Sequence, residues 1–147
     1  MSVTNFLIPL ILKVCRDIIY KKTKKGALKI KRITEIQEKL KRGILEMLIL
    51  KLLSEEDMYG YQLKTEIMNR SEERISLTEG VLYPPLYRMI EKGYISERKE
   101  TVCKRRVRVY YHLEDAGREY LELLCEEYRK SVIGVYKIME WNDGDTK

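Results

Sequence analysis

The hydrophobic period of this chain changes twice, and the order of those changes limits the folds open to it. Ile33, Ile36, Leu40, Ile44, Met47 and Leu48 recur at three- and four-residue spacing, the mark of a helix with one apolar face. From Ile44 to Leu53 nearly every residue is apolar. That predicts a buried central helix, far short of the roughly 20 residues that cross a bilayer. Ser54-Glu55-Glu56-Asp57 closes it. A second helix is predicted from about Gly60 to Arg70 with Leu63 and Ile67 inward, then a polar turn over Asn69–Ser76. A third is predicted over Thr78–Lys92, with Thr78 as N-cap, Leu82, Leu86, Met89 and Ile90 inward, and Gly93 as its C′ residue. The period then drops to two. Val107, Val109, Tyr111 and Leu113 alternate with Arg108, Tyr110 and His112, as on a half-buried strand. Tyr94–Lys99 is the predicted antiparallel partner and Thr101–Arg105 the tip. After Leu113 the helical period returns: Ala116, Tyr120, Leu124, Tyr128, Val132, Val135 and Met139 form a stripe that ends at Asn142-Asp143-Gly144. A lone hairpin is marginal, so it must pack on the helices. The fold class is mainly α, of the α+β type.

Charge is distributed unevenly. Residues 1–32 hold nine bases and one acid, net +8, whereas 33–147 hold 20 bases and 22 acids, net −2. The basic pI therefore belongs to the N-terminal segment, and an argument for nucleic-acid binding needs a local basic site within 33–147. Phe6–Leu12 is too short to span a membrane, and no secretory signal pattern is present. Residues 1–32 admit three readings: a flexible basic arm, an amphipathic surface anchor, or untranslated upstream sequence included by a misplaced start. One histidine, His112, excludes multi-histidine metal sites, and no cofactor is implied. Cys15, Cys103 and Cys125 form no CxxC pair. They read as small core or surface residues that suit a reducing cytoplasm. Ten of the eleven tyrosines lie between Tyr59 and Tyr136. Tyrosine buries a ring and still offers a hydroxyl to a phosphate or a partner.

Two compact helices joined by a short turn are helix-turn-helix geometry, with the second helix, Thr78–Lys92, as the one that enters a major groove. The hairpin that follows has the place of a wing. Its stretch Arg98–Arg108 carries Arg98, Lys99, Lys104, Arg105, Arg106 and Arg108 against Glu100 alone, net +5. By itself such a run is usually a solvated face; after a helix-turn-helix it is a phosphate-binding tip. Pro84-Pro85 conflicts with a helix that begins at Thr78. Judged locally, the helix starts at one of these prolines as N1; if it starts at Thr78, Pro84 leaves the Gly80 carbonyl unpaired and kinks the first turns.

Several strings resemble a known family. They are Arg42-Gly43-Ile44-Leu45-Glu46-Met47-Leu48-Ile49-Leu50, Tyr59-Gly60-Tyr61-Gln62-Leu63, Leu77-Thr78-Glu79-Gly80-Val81-Leu82-Tyr83-Pro84, Tyr110-Tyr111-His112-Leu113 and Ala116-Gly117-Arg118. In this order, over about residues 40–141, they are similar to the PadR family of bacterial transcriptional regulators, in its smaller subgroup. The resemblance implies a winged helix-turn-helix with a two-stranded wing. It also implies a homodimer through the C-terminal helix, and binding of a palindromic promoter site in double-stranded DNA, usually with repression relieved by a small molecule. It places Tyr61, Thr78, Gly80, Tyr83 and Tyr87 on DNA-facing positions and Arg106 and Arg108 on the wing; the local charge adds Lys104 and Arg105. It further implies that the stripe from Ala116 to Met139 forms the dimer interface. Tyr128 and Trp141 are then candidates to stack an aromatic effector, or simply to pack that interface. The expected organisation is an appendage (1–32), a DNA-binding domain (33–113), a dimerisation helix (114–141) and a tail (142–147).

The sequence departs from the family at three places. Glu79 stands where proline is common, Pro85 is an unusual second proline, and Lys104-Arg105 occupies a tip that often carries glycines. Two other functions compete. An enzyme would need a catalytic motif, but GxSxG and GxGxxG are absent and His112 reads as a surface residue. A protein-interaction module dimerising through the long helix leaves the wing charges unexplained.

Overall fold

The computed structural model describes the backbone of residues 4–141 and the side chains of residues 21–141. It comprises two compact units that divide between Lys41 and Arg42. The described part of the first is a single helix, α1 (Thr4–Arg42), whose last residue opens the second unit. The helix expected from Ile33 thus starts far earlier, and the boundary drawn after residue 32 falls inside it. The predicted stripe is also divided. Ile33, Ile36 and Leu40 lie exposed on α1, and a turn at Gly43-Ile44 separates them from the next helix. The side chain of Cys15 and the tail 142–147 lie outside the described residues. Among the described residues, no helix is long and apolar enough to cross a membrane.

The second unit is built from α2 (Leu45–Leu53), β1 (Met58–Tyr59), α3 (Gly60–Arg70), α4 (Glu79–Glu91), β2 (Ile95–Cys103), β3 (Arg106–Leu113) and α5 (Asp115–Met139). Its core gathers Leu63 and Ile67 of α3, Leu82, Leu86 and Met89 of α4, and Tyr111 and Leu113 of β3, as the periodicity assigns, together with Ile49, Leu50 and Leu53 of α2 and Ile95 of β2. Removal of this apolar surface from water is the main force that closes the unit. The sheet corrects the expected hairpin in two ways. A third strand joins it, in the order β1-β3-β2, all antiparallel, with Met58 opposite Tyr111 and Tyr59 opposite Tyr110. β2 also runs on to Cys103, so the tip is only Lys104-Arg105. Cys103 is exposed and Cys125 half-buried, both as free thiols. The strands outrun the helices beneath them: Tyr111 and Leu113 are buried, Val109 is half-buried and Val107 is exposed.

The third helix starts at Thr78 and passes through both prolines, against the local expectation of a start at Pro84 or Pro85. Leu82 is sealed in the core one turn before Leu86 and two turns before Met89, and only a helix phased from Thr78 places all three together. Thr78 caps through its carbonyl, which accepts from the amides of Val81 and Leu82 at 3.1 Å; its hydroxyl makes no capping bond. The other end meets expectation. Gly93 has φ +72°, its amide donates to the Ile90 carbonyl at 3.0 Å, and that of Tyr94 donates to Met89 at 2.9 Å. This is a Schellman closure, and it favours glycine at that position.

α5 is held on the core of the second unit by its first turns. Gly117 is buried with Tyr94 against it: a Cβ there would lie 2.1 Å from the Tyr94 carbonyl oxygen. The rings of Tyr94 and Tyr120 stack at 4.3 Å, and the Tyr120 hydroxyl donates to Glu46 at 3.4 Å. Burial, with Glu46 nearby, raises the Tyr120 phenol above its ordinary pKa. Leu124 also packs on this core. Of the remaining stripe, Val132 is half-buried, and Ala116, Tyr128, Val135 and Met139 are exposed.

Candidate nucleic-acid interface

A cleft opens where the start of α3, the outer face of α4 and the wing converge. Its walls include Tyr61, Tyr83, Tyr87, Arg106 and Arg108, five of the nine residues assigned to DNA from the sequence. Tyr61 stands on the first turn of α3, entered from an extended Tyr59. Gly60 is what lets α4 come close: a Cβ there would sit 2.7 Å from the Tyr83 hydroxyl. Tyr83 and Tyr87, one turn apart on α4, stack at 6.1 Å with their planes 26° apart. Beneath them lies Tyr111. Burial first, then the neighbouring Tyr83, Tyr87 and Glu97, push its phenol up to about 12, so it stays neutral at any physiological pH. The charged groups that line the cleft, Glu97, Lys99, Arg106 and Arg108, all come from the hairpin.

The wing bases divide by partner. Arg98 is turned away from the cleft: its Nε donates to Glu100 at 2.8 Å, and its Nη1 pairs with Asp57. These bonds raise its pKa, the Glu100 bond most. The net +5 of the wing sequence therefore overstates the charge open to a ligand. Asp57 also takes His112 Nδ1 at 2.7 Å. Burial pulls the Asp57 carboxyl up, but the hydrogen bonds from His112 and Arg98 outweigh it and hold the group below its usual value. Sequence reasoning missed this anchor because its members are 41 and 55 residues apart. Lys99, Lys104, Arg105 and Arg106 are exposed, and none of them makes an ion pair among the described residues. Arg108 is half-buried, its guanidinium 4.4 Å from the centre of the Tyr59 ring. Its Nε is buried with no hydrogen-bond partner among the described residues. Tyr59 had no role in the sequence reading; the two-residue strand β1 brings it here.

Thr78 and Gly80 mark the N-terminal end of α4, outside the cleft lining. A Cβ on Gly80 would meet nothing within 4 Å, so no neighbour inside the chain requires glycine there. Lys104 and Arg105 form the two-residue tip between the strands. Tyr128 and Trp141 are not brought together within one chain. From Tyr128 to the end of α5 at Met139 is 11 residues, roughly 17 Å along a helix axis. Trp141 instead meets the Tyr136 ring edge-on at 5.6 Å.

Three core-packed helices, a basic hairpin directly after the third, and a cleft between them define a winged helix-turn-helix protein. Residues 49–123 match the profile of the transcriptional regulator PadR-like family, and the chain belongs to that family. An uncharacterised protein X of Lysinibacillus sphaericus is 33% identical over 97 residues, covering 65% of this chain and 89% of that protein. The crystal structure of a PadR family transcriptional regulator from Eggerthella lenta is similar with TM-score 0.66 and 26% identity, covering 78% of this chain and 97% of the other. Bacillus subtilis PadR, solved in complex with operator DNA, shares the fold at TM-score 0.50 and 24% identity. That match takes in 54% of this chain and 45% of the other, so the chain spans less than half of that PadR.

Proposed function

We propose that this chain is a sequence-specific DNA-binding regulator that binds a palindromic operator as a homodimer and represses transcription until a small aromatic effector releases it. The observation that carries the DNA reading is the convergence of Tyr61, Tyr83 and Tyr87 with Arg106 and Arg108 in one cleft. Hydroxyls there fix register on phosphates and sugars, and the wing bases supply affinity at the flanks. The fold shared with an operator-bound PadR supports the same reading. The dimer is supported by the distal half of α5, where Tyr128, Val135, Ile138 and Met139 are exposed within an arc of about 100° on a 3.6-residue repeat. Pairing two such helices by a two-fold axis would bury them. For an effector, Tyr128 borders a shallow apolar hollow with Val132 and Ile133.

The test is a mobility shift with the DNA upstream of the chain's own gene, run from 50 to 200 mM salt, beside light scattering at micromolar concentration. Two chains per particle and a steep fall in affinity with salt are expected. Retention that ignores salt, or a monomer, would favour the interaction-module reading or remove the palindrome.

A further inference from the structure

The helix α1 carries 12 of the chain's 29 bases against three acids, a net +9, and the arrangement of those bases is specific. No acid occurs between Asp17 and Glu35, and the side chains of Lys21–Gln37 are all exposed. On a 3.6-residue repeat, Lys22, Lys25, Lys29 and Arg32 fall within an arc of about 80°. They make one stripe about 15 Å long, and none of the four forms an ion pair among the described residues. We propose that this stripe is a second, sequence-independent phosphate-binding surface for duplex DNA. The inference rests on the DNA-binding reading above.

Two observations favour DNA over an anionic membrane surface. Leu28 and Ile30, the large apolar residues between Lys22 and Arg32, lie about 160° apart around the helix, so the span of the stripe has no continuous apolar face to sink into lipid. The remainder of the chain, residues 33–147, is net −2. Without the N-terminal helix, the long-range field of the protein would repel DNA, and the wing would act only at contact. A net +8 in residues 1–32 reverses that sign. Duplex DNA offers a charge about every 1.7 Å of its axis, so a 15 Å stripe meets several phosphates without needing a defined base sequence.

The test compares the full chain with a variant carrying Lys22→Gln, Lys25→Gln, Lys29→Gln and Arg32→Gln. Glutamine is a good helix former, and circular dichroism checks that the helix persists. Each lost phosphate contact should flatten the log–log salt slope by about 0.9, so four flatten it by about 3.6. The affinity advantage of the wild type should then shrink about 100-fold between 50 and 200 mM salt. Operator and scrambled duplexes should lose by the same factor. An unchanged slope, or a loss confined to operator, would overturn the proposal. So would wild-type binding to phosphatidylserine vesicles that the variant loses while its DNA slope stays put. The wing variant Arg105→Ala, Arg106→Ala runs alongside to separate the two readings. If wild type shows no salt-dependent DNA binding, the regulator reading fails and takes this inference with it. If the wing variant loses affinity and the stripe variant does not, this inference fails alone.

Discussion

Replacing Gly80 with alanine should make the protein more stable and a poorer DNA binder. Gly80 is the second residue of α4, its φ is not in the left-handed region, and a Cβ there meets no atom within 4 Å. Nothing in the folded chain therefore opposes the methyl group. Glycine in a helix costs about 0.5–1 kcal/mol relative to alanine, chiefly through the backbone freedom it gives up. The first turn feels less of this than a helix centre, so the gain should be about 0.5 kcal/mol, or a rise in Tm of about 2 °C for a chain of this size. The absence of an internal reason for glycine leaves an external one. If the backbone of this turn lies against a sugar or phosphate, a methyl group pushes the duplex away from Thr78 and Tyr83, and operator affinity should fall at least tenfold while the melt improves. Thermal melting and a mobility shift on the same preparation read both quantities. Higher stability with unchanged operator affinity would refute the placement of this turn at the DNA. Lower stability would refute the reading of the open space around Gly80.

The wing double variant Arg105→Ala, Arg106→Ala should bind operator and random duplex more weakly by the same factor and flatten the salt slope by about 1.8; a wild-type slope would make the tip a solvated face. Tyr83→Ala should cost more on operator than on random DNA, because the loss is one of register; equal losses in competition binding would count against it. Gly117→Ala should destabilise by about 3 kcal/mol or more, since the new Cβ would meet backbone rather than a yielding side chain; a Tm within a degree or two of wild type would contradict the close approach. The lowered pKa of Asp57 stabilises the fold above the ordinary carboxylate pKa of about 4, and the contribution fades as pH falls through the folded value. The Tm gap between wild type and Asp57→Asn should therefore narrow below about pH 4; a constant gap from pH 7 to 3 would exclude the carboxylate as its source.

What could be read in the sequence was whatever depended on neighbours along the chain. The apolar spacing of Leu63 and Ile67, and of Leu82, Leu86 and Met89, marks the core directly, and Gly93 marks the end of α4. The alternation through Tyr111 and Leu113 announces a strand. Features that depend on distant partners were not visible. Two residues cannot display a period, so β1 and the Tyr59 ring beneath Arg108 left no trace. Arg98 counted as a wing base until Asp57, from the loop before β1, took it. Local rules for proline pointed to a later start of α4, but burial of Leu82 outweighs two missing amide donors. The stripe of Ile33, Ile36 and Leu40 looked continuous with Ile44 because spacing alone does not reveal a break at Gly43.

Tyr94 is the place where the last turn of α4 and the first turn of α5 share one residue. Its amide closes the Schellman turn on Met89, its carbonyl accepts the Glu114 amide at 3.0 Å, and Gly117 presses on that same carbonyl. Its ring lies flat on Tyr120. There is no slack at this junction, so a rotation of α5 about its axis cannot be absorbed locally as it would be at a loop. It would strain the last turn of α4, which the Tyr94 amide closes. In mechanical language the joint between the end of α4 and the start of α5 is a pin through one residue and not a slack hinge.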